Sequence, residues 1–357
     1  MMIRQNNYFN DLYELLQRDF SQLEEAFIDL SCNGVEDEGA YNLTSELNLC
    51  LNLTFLNIDL MENHIGPTGC LNLSLTLNKL ENLLTLNLNL SNNSIGDEGV
   101  QSLVSNSHKF QSLTSLNLQI INCGISQQGT SFLGKSLVRI ATLQDLAINI
   151  STNNIKVQGL KDLCSPFFQN QELQIKFDLD ARYNNTFKND EIDFQNIFSL
   201  NSNLKSLTLN LIFFQIINFG KCLVNCVNLL TLSLEIYQTD FQDQLVGIEL
   251  CSALAQCKNL NSLFLSLEQE EATIRPIMIK LIQTNFGCKI IIYSYGAKFY
   301  SFLSKHNYVH KVVIHDSYFS EGGDTTNHNK SLQSMLKREG LFNHRFNFEN
   351  KSLKSIR

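Results

Sequence analysis

The chain has 357 residues, 43% of them hydrophobic, no tryptophan and a formal net charge of −8 at pH 7. An acidic balance argues against nucleic acid, whose phosphates demand Lys and Arg. No apolar run is long enough to span a bilayer, and the opening MMIRQNNYFND is too polar for a secretory leader, so neither membrane nor export is expected.

In chain order, YFNDLYELLQRDF places Phe9, Leu12, Leu16 and Phe20 at helical spacing, which predicts an N-terminal capping helix within residues 1–20. A thirty-residue register then runs without a slip through Leu23, Leu53, Leu83, Leu113 and Leu143. It holds for Ile28, Ile58, Leu88, Leu118 and Ile148, and for Gly39, Gly69, Gly99, Gly129 and Gly159. A fixed period in this range means one supersecondary unit stacked on copies of itself. In the third copy Leu86, Leu88 and Leu90 alternate with Asn87 and Asn89, a strand with one dry and one wet face. Asn93 follows, in a column of Asn33, Asn63, Cys123 and Asn153; a buried amide there can serve the backbone of the turning chain. Gly96-Asp97-Glu98-Gly99 then opens a helix, with carboxylates where the dipole favours them, and Val100, Leu103 and Val104 continue at helical spacing.

The pattern LxxLxLxLxxNxIGxEG followed by an amphipathic helix resembles the leucine-rich repeat family, most closely its ribonuclease-inhibitor-like subclass, over residues 21–170. The strand carries one extra Lx step, so the unit is of a longer type, associated with ciliate proteins. The resemblance implies an α/β fold: a curved solenoid of about nine units, parallel sheet on the concave side and helices on the convex side. Beyond residue 170 the copies loosen. Ile175, Phe177 and Leu179 form a degenerate strand, and Leu204 to Leu211, Leu229 to Ile236 and Leu260 to Leu267 restore the pattern at irregular spacing. The solenoid is therefore expected over residues 21–288. Residues 289–357 form a C-terminal cap and basic tail: strands at Ile290–Tyr293 and Val312–Ile314 around a helix at Lys298–Lys305, then a polar tail from Ser317 with a helical stretch at Leu332–Lys337.

Charge is divided unevenly: residues 1–288 carry 16 basic and 30 acidic groups, residues 289–357 carry 11 and 5. The ten cysteines form no even framework, and reduced thiols in a cytoplasmic protein are the natural expectation.

Candidate chemistry is sparse. Gly129 to Ser136 fits GxxxxGK[ST], but a phosphate loop needs a flexible turn between a strand end and a helix start. Here Gly129 and Leu133 occupy repeat columns, and the segment is expected inside a helix. Cys222 and Cys226, with Cys251 and Cys257, lack the spacing of a zinc site. His306, His310 and His315 cluster loosely near Asp316 without an HExxH motif. No catalytic residue, cofactor or metal ligand is assigned, and a small-molecule ligand is not expected.

The wet strand face is the surface the repeat leaves free to vary. One column holds Phe27, Asn57, Asn87, Asn117, Ala147, Thr208, Ser233 and Phe264; the next holds Asp29, Asp59, Asn89, Gln119, Asn149, Asn210, Glu235 and Ser266. From these, Asn57, Asp59, Asn87, Asn89, Asn117, Gln119, Asn149, Asn210 and Glu235 are the protein-binding candidates. The expected function is a non-enzymatic protein-interaction scaffold, with a cytoskeletal or ciliary assembly as one setting. The alternative is an activating protein for a small GTPase of the Ran type, though such families end acidic and this chain ends basic.

Overall fold

The computed structural model describes residues 7–17, 22–170, 172–184, 203–212, 226–237 and 257–268 and the single positions Leu223 and Leu254. Backbone alone is described at 191–193, 212, 215–217, 235–237, 265–268, 289–293 and 312–315. The expected helices at 298–305 and 332–337 and the tail from Ser317 lie outside these residues.

Chain order is β1 (Tyr8–Phe9), α1 (Leu12–Leu15), β2 (Glu25–Asp29), α2 (Glu36–Leu47), β3 (Phe55–Asp59), α3 (Pro67–Leu77), β4 (Thr85–Asn89), α4 (Gly96–Val104), β5 (Ser115–Gln119), α5 (Gln127–Leu137), β6 (Asp145–Asn149), α6 (Val157–Gln169) and β7 (Lys176–Asp180). Strands β8 (Glu191–Asp193), β9 (Ser206–Ile212), β10 (Gln215–Ile217), β11 (Thr231–Tyr237), β12 (Ser262–Glu268), β13 (Lys289–Tyr293) and β14 (Val312–His315) follow. Twelve of the strands form one parallel sheet in near-sequential order; β8 and β10 pair apart from it. Nine units, opened by β2 to β7, β9, β11 and β12, make up the solenoid. The sheet runs on without a break into β13 and β14, the strands expected at the start of the C-terminal cap.

Strand and helix bury each other because each has one apolar face. Leu56 and Ile58, Leu86 and Leu88, Leu116 and Leu118 are buried, while the residues between them are half-exposed. Leu73 and Leu77 of α3 and Leu133 and Leu137 of α5 close the other side of that core. Helices follow parallel strands by crossovers of one hand, so they lie on one face and leave the other open.

The N-terminal cap differs from a helix over 1–20. Tyr8 and Phe9 pair in parallel with Phe27 and Ile28, and the helix is one turn, Leu12–Leu15. Asp11 sets its start, its carboxylate accepting the Glu14 amide at 2.8 Å. Strand pairing wins upstream because it satisfies the edge of β2, which otherwise presents unpaired backbone.

The buried asparagine column holds the turns. Asn63 Oδ1 accepts the amides of Asn33 and Val35 at 3.0 and 3.1 Å, and its Nδ2 donates to the Leu30 carbonyl at 2.7 Å. Asn93 repeats this one unit on, accepting from Asn63 and Ile65 and donating to Leu60 and Leu90. Asn153 serves Cys123 and Ile125 the same way, and Asn184, off the strict period, serves Ile155. Each side chain thus completes the turn of the unit before it. Cys123 breaks the series. Its thiol donates to the Leu90 carbonyl at 3.1 Å, as an amide would, but brings no carbonyl oxygen for the Asn93 and Ile95 amides.

Helix starts follow a second rule. Asp97 lies in the first turn of α4, as expected, but its carboxylate reaches forward to the Ser126 and Gly129 amides at the start of α5, at 2.8 and 2.9 Å. Asp37 does the same for Gly66 and Gly69 at the start of α3, at 2.7 and 2.9 Å. Any Cβ on Gly69 or Gly129 would collide with that carboxylate, which explains glycine at those two positions.

Two substitutions test the ladder by urea and thermal unfolding. Asn93→Ala is expected to cost about 3 kcal/mol, because it strands several buried backbone groups at once. Cys123→Asn is expected to stabilise by about 1 kcal/mol, since it restores the missing acceptor in a slot that holds Asn in neighbouring units.

Candidate functional site

The open face of the sheet is built from the odd positions of each strand, and pairing puts them in rows. Along the central row Tyr8, Phe27, Asn57, Asn87, Asn117, Ala147, Asp178 and Thr208 stand side by side. This divides the face into zones: aromatic at β1 to β3, amide at β3 to β5, charged at β6 and β7.

In the amide zone Asn57, Asn87 and Asn117 are half-buried, and among the described residues no hydrogen bond engages their side chains. Three neighbouring amides therefore offer donors and acceptors without a partner in the fold. The next row is committed in part to structure. The Oδ1 atoms of Asp59, Asn89 and Asn149 accept the amides of Met61, Ser91 and Ser151 at 3.0, 3.0 and 3.1 Å, each turning the chain at its strand end. Asn89 Nδ2 also bridges both carboxylate oxygens of Asp59 at 3.1 Å. Gln119 and Asn210 share this row through their strand registers, both half-exposed. Glu235 pairs with Asn210 in register; its side chain lies outside the described residues.

The charged zone was reachable from the sequence but absent from the candidate columns. The degenerate strand at Ile175, Phe177 and Leu179 is β7, so Asp178 and Asp180 belong on the open face. The Asp180 carboxylate is gripped by Arg182, whose Nη2 lies 2.6 Å from Oδ2 and whose Nε lies 2.9 Å from Oδ1. Burial pushes the Asp178 carboxyl up, Lys176 opposing and Asp180 adding to the shift. At the strand-start rim of β6 to β11 an open cleft of about 670 Å³ runs past Asp145, Glu172, Lys176 and Lys205. Its charges compensate one another in part, with Lys176 Nζ 3.9 Å from Asp145.

The aromatic zone has a contact that columns read singly do not reveal. Phe27 and Phe55 lie on neighbouring strands in different columns, with ring centroids 5.0 Å apart. Tyr8 flanks Phe27 and its hydroxyl donates to Asp29 Oδ2 at 3.3 Å.

The motif-like segments resolve into packing. Gly129 to Ser136 lies within α5, as its columns predict. Gly134 is buried where a Cβ would strike the Asp162 and Leu163 carbonyls of α6, so it lets two helix backbones approach. Lys135 points into solvent. Cys226 and Cys257 are buried neutral thiols, burial pushing them up to about 12 and about 11 respectively. Cys222, Cys251, His306 and His310 lie outside the described residues, as does the His315 side chain. Among the described residues no group of three or more His, Cys, Asp or Glu is placed to hold a metal, and no helix is long and apolar enough to cross a membrane.

Comparison with known proteins agrees with this geometry. A family model described as Leucine Rich repeat matches residues 27–43 and 79–104, which take in the end of β2 with most of α2, and β4 with α4. A search of the curated proteins finds no match.

Two predictions follow from the packing and the charge. Gly134→Ala is expected to cost about 2 kcal/mol in unfolding assays by forcing α6 away, while Lys135→Ala stays within about 0.5 kcal/mol. Asp178→Asn is expected to raise the melting temperature at neutral pH. The folded-state pKa of Asp178 is raised, so its carboxyl loses stability for the protein as pH rises through that pKa. The advantage of the variant should vanish in acid, where both side chains are neutral.

Proposed function

We propose that this leucine-rich repeat solenoid is a protein-interaction scaffold that binds its partner on the open face of the sheet. The observation that carries this reading is the run of unpartnered, half-buried amides at Asn57, Asn87 and Asn117. These amides reach the open face, where a partner's backbone and polar side chains can pair with them in place of water. The neighbouring row, by contrast, is tied to its own turns and supplies shape. The match to a repeat family supports the same reading, since stacked repeats expose extended surfaces.

All seven described cysteines are free thiols, which supports the cytoplasmic setting within this proposal. The cytoskeletal or ciliary assignment is the narrowest part of the reading and rests on the sequence resemblance alone.

The test is a tagged full-length chain, cross-linked in its own cell, beside a variant carrying Asn87→Arg and Asn117→Arg. The variant is expected to melt as the parent does and to lose at least tenfold of a defined partner, about 1.4 kcal/mol. Equal recovery from both chains refutes binding on this face.

A further inference from the structure

We propose that the aromatic zone of the open face, formed by Tyr8, Glu25, Phe27, Asn57, Phe55 and the strand-end pair Asp29 and Asp59, docks an arginine-bearing segment of a partner protein. The proposal deepens the open-face reading above and rests on it.

Residues 22–134 carry twelve acidic side chains and two basic ones. The two, Lys79 and Lys109, lie outside the strands of the open face. Glu25, Asp29 and Asp59 share this end of the face, and among the described residues no Lys or Arg pairs with them. Asp29 Oδ1 is occupied by the Ser31 amide and hydroxyl, at 3.3 and 2.8 Å, and its Oδ2 holds the Tyr8 hydroxyl. Asp59 is similarly hydrogen-bonded by Met61 and Asn89. Both carboxylates are thus fixed in direction while their charge goes unanswered.

The molecule carries its own template for what answers it. Four strands on from Asp59, Asp180 occupies the same strand-end row, as the chain of registers through Asn89, Gln119 and Asn149 shows. Its Oδ1 accepts the amide two residues on at 3.1 Å, as Asp29 and Asp59 do. In that unit the residue two on is Arg182, and its guanidinium closes on the carboxylate through Nε and Nη2. In the first two units the equivalent residues are Ser31 and Met61, so the guanidinium site stands without one.

The aromatic rings decide between arginine and a generic cation. Phe27 and Phe55 are half-buried, with rings tilted by 37°, and Tyr8 is 44% exposed beside them. A guanidinium is planar, weakly hydrated and stacks on such faces while forking to a carboxylate; an ammonium does neither as well. Arginine, with Trp and Tyr, is enriched at interface hot spots.

The test uses the full-length chain and a fluorescein-labelled peptide in which arginine, leucine, serine and glycine repeat three times. Its controls are the same peptide with lysine or with citrulline in place of arginine. Asp29→Asn with Asp59→Asn is the reporting variant. Asn stands in this row at Asn89 and Asn149 and makes the same turn, so the change removes charge and spares the fold. Glu38→Gln with Glu98→Gln, exposed in the first turns of α2 and α4, makes the same change in net charge elsewhere.

By fluorescence polarisation the arginine peptide is expected to bind the parent chain and the Glu38/Glu98 variant alike. Binding should weaken roughly tenfold on the Asp29/Asp59 variant and with the citrulline peptide, and by a smaller factor with lysine. Absence of binding, equal binding of arginine and citrulline peptides, or equal losses in the two variants overturns the proposal. The two readings fail separately. A cellular partner lost with Asn87→Arg and Asn117→Arg but kept with the Asp29/Asp59 variant removes the arginine site and leaves the open-face scaffold. A partner kept by both variants removes the scaffold reading as well.

Discussion

Each of the first five units must leave a parallel sheet and enter a helix within a few residues, and the backbone of that turn has no ladder partner. Leu30, Leu60, Leu90, Ile120 and Ile150 sit at the point of departure, fully buried, where water cannot serve the exposed amides and carbonyls. The asparagine column answers this constraint. One primary amide carries a carbonyl and two N–H groups, enough to hold donors and acceptors from two successive units at once. Leucine columns supply the apolar area, but many small or branched residues could do so. The turn favours an amide, and where Cys123 replaces it the donor half survives while the acceptor is only a weakly accepting sulfur.

A second rhythm runs at twice the period. Asp37 and Asp97, in the first and third units, each cap the helix of the unit that follows, and the capped units lack an equivalent carboxylate of their own, carrying Pro67 and Gln127 at that column. The solenoid is thus built of paired units in its regular half. Positive φ falls at the helix start in Glu36 and Gly96, at 53° and 57°, and two residues earlier in the column in His64 and Gly124, at 56° and 72°; the first unit takes it at both positions, with Gly34 at 61°.

The fold was legible because a strict period aligns like with like. Columns of Leu, Ile and Asn told which residues are buried and what the turn requires, and the helical placement of Gly129 to Ser136 followed from its column neighbours. Legibility failed where the period slips. Asp145 pairs with Lys176, a step of thirty-one, so Asp178, Asp180 and Asn184 fell out of columns to which they belong. It failed again for relations that run diagonally. Phe27 and Phe55 occupy different columns and meet only because neighbouring strands bring them together, and Asp97 acts on a helix thirty residues away. At the N-terminus the periodicity of Phe9, Leu12 and Leu16 was compatible with a helix. A free sheet edge competed for Phe9, which pairs with Ile28, and only Leu12–Leu15 remained helical.

The direction of the asparagine bonds has a consequence for synthesis. Asn63 finishes the turn of the first unit, Asn93 that of the second and Asn153 that of the fourth, so each of these units is completed by the one made after it. A nascent chain therefore always ends in one unfinished turn, however many units precede it. At about 5–20 residues per second, the thirty-residue wait for completion is roughly 1.5–6 s. The unpaired backbone exposed at the growing end stays constant in amount as the array lengthens, so the load on the ribosome exit and its chaperones does not grow with the number of repeats.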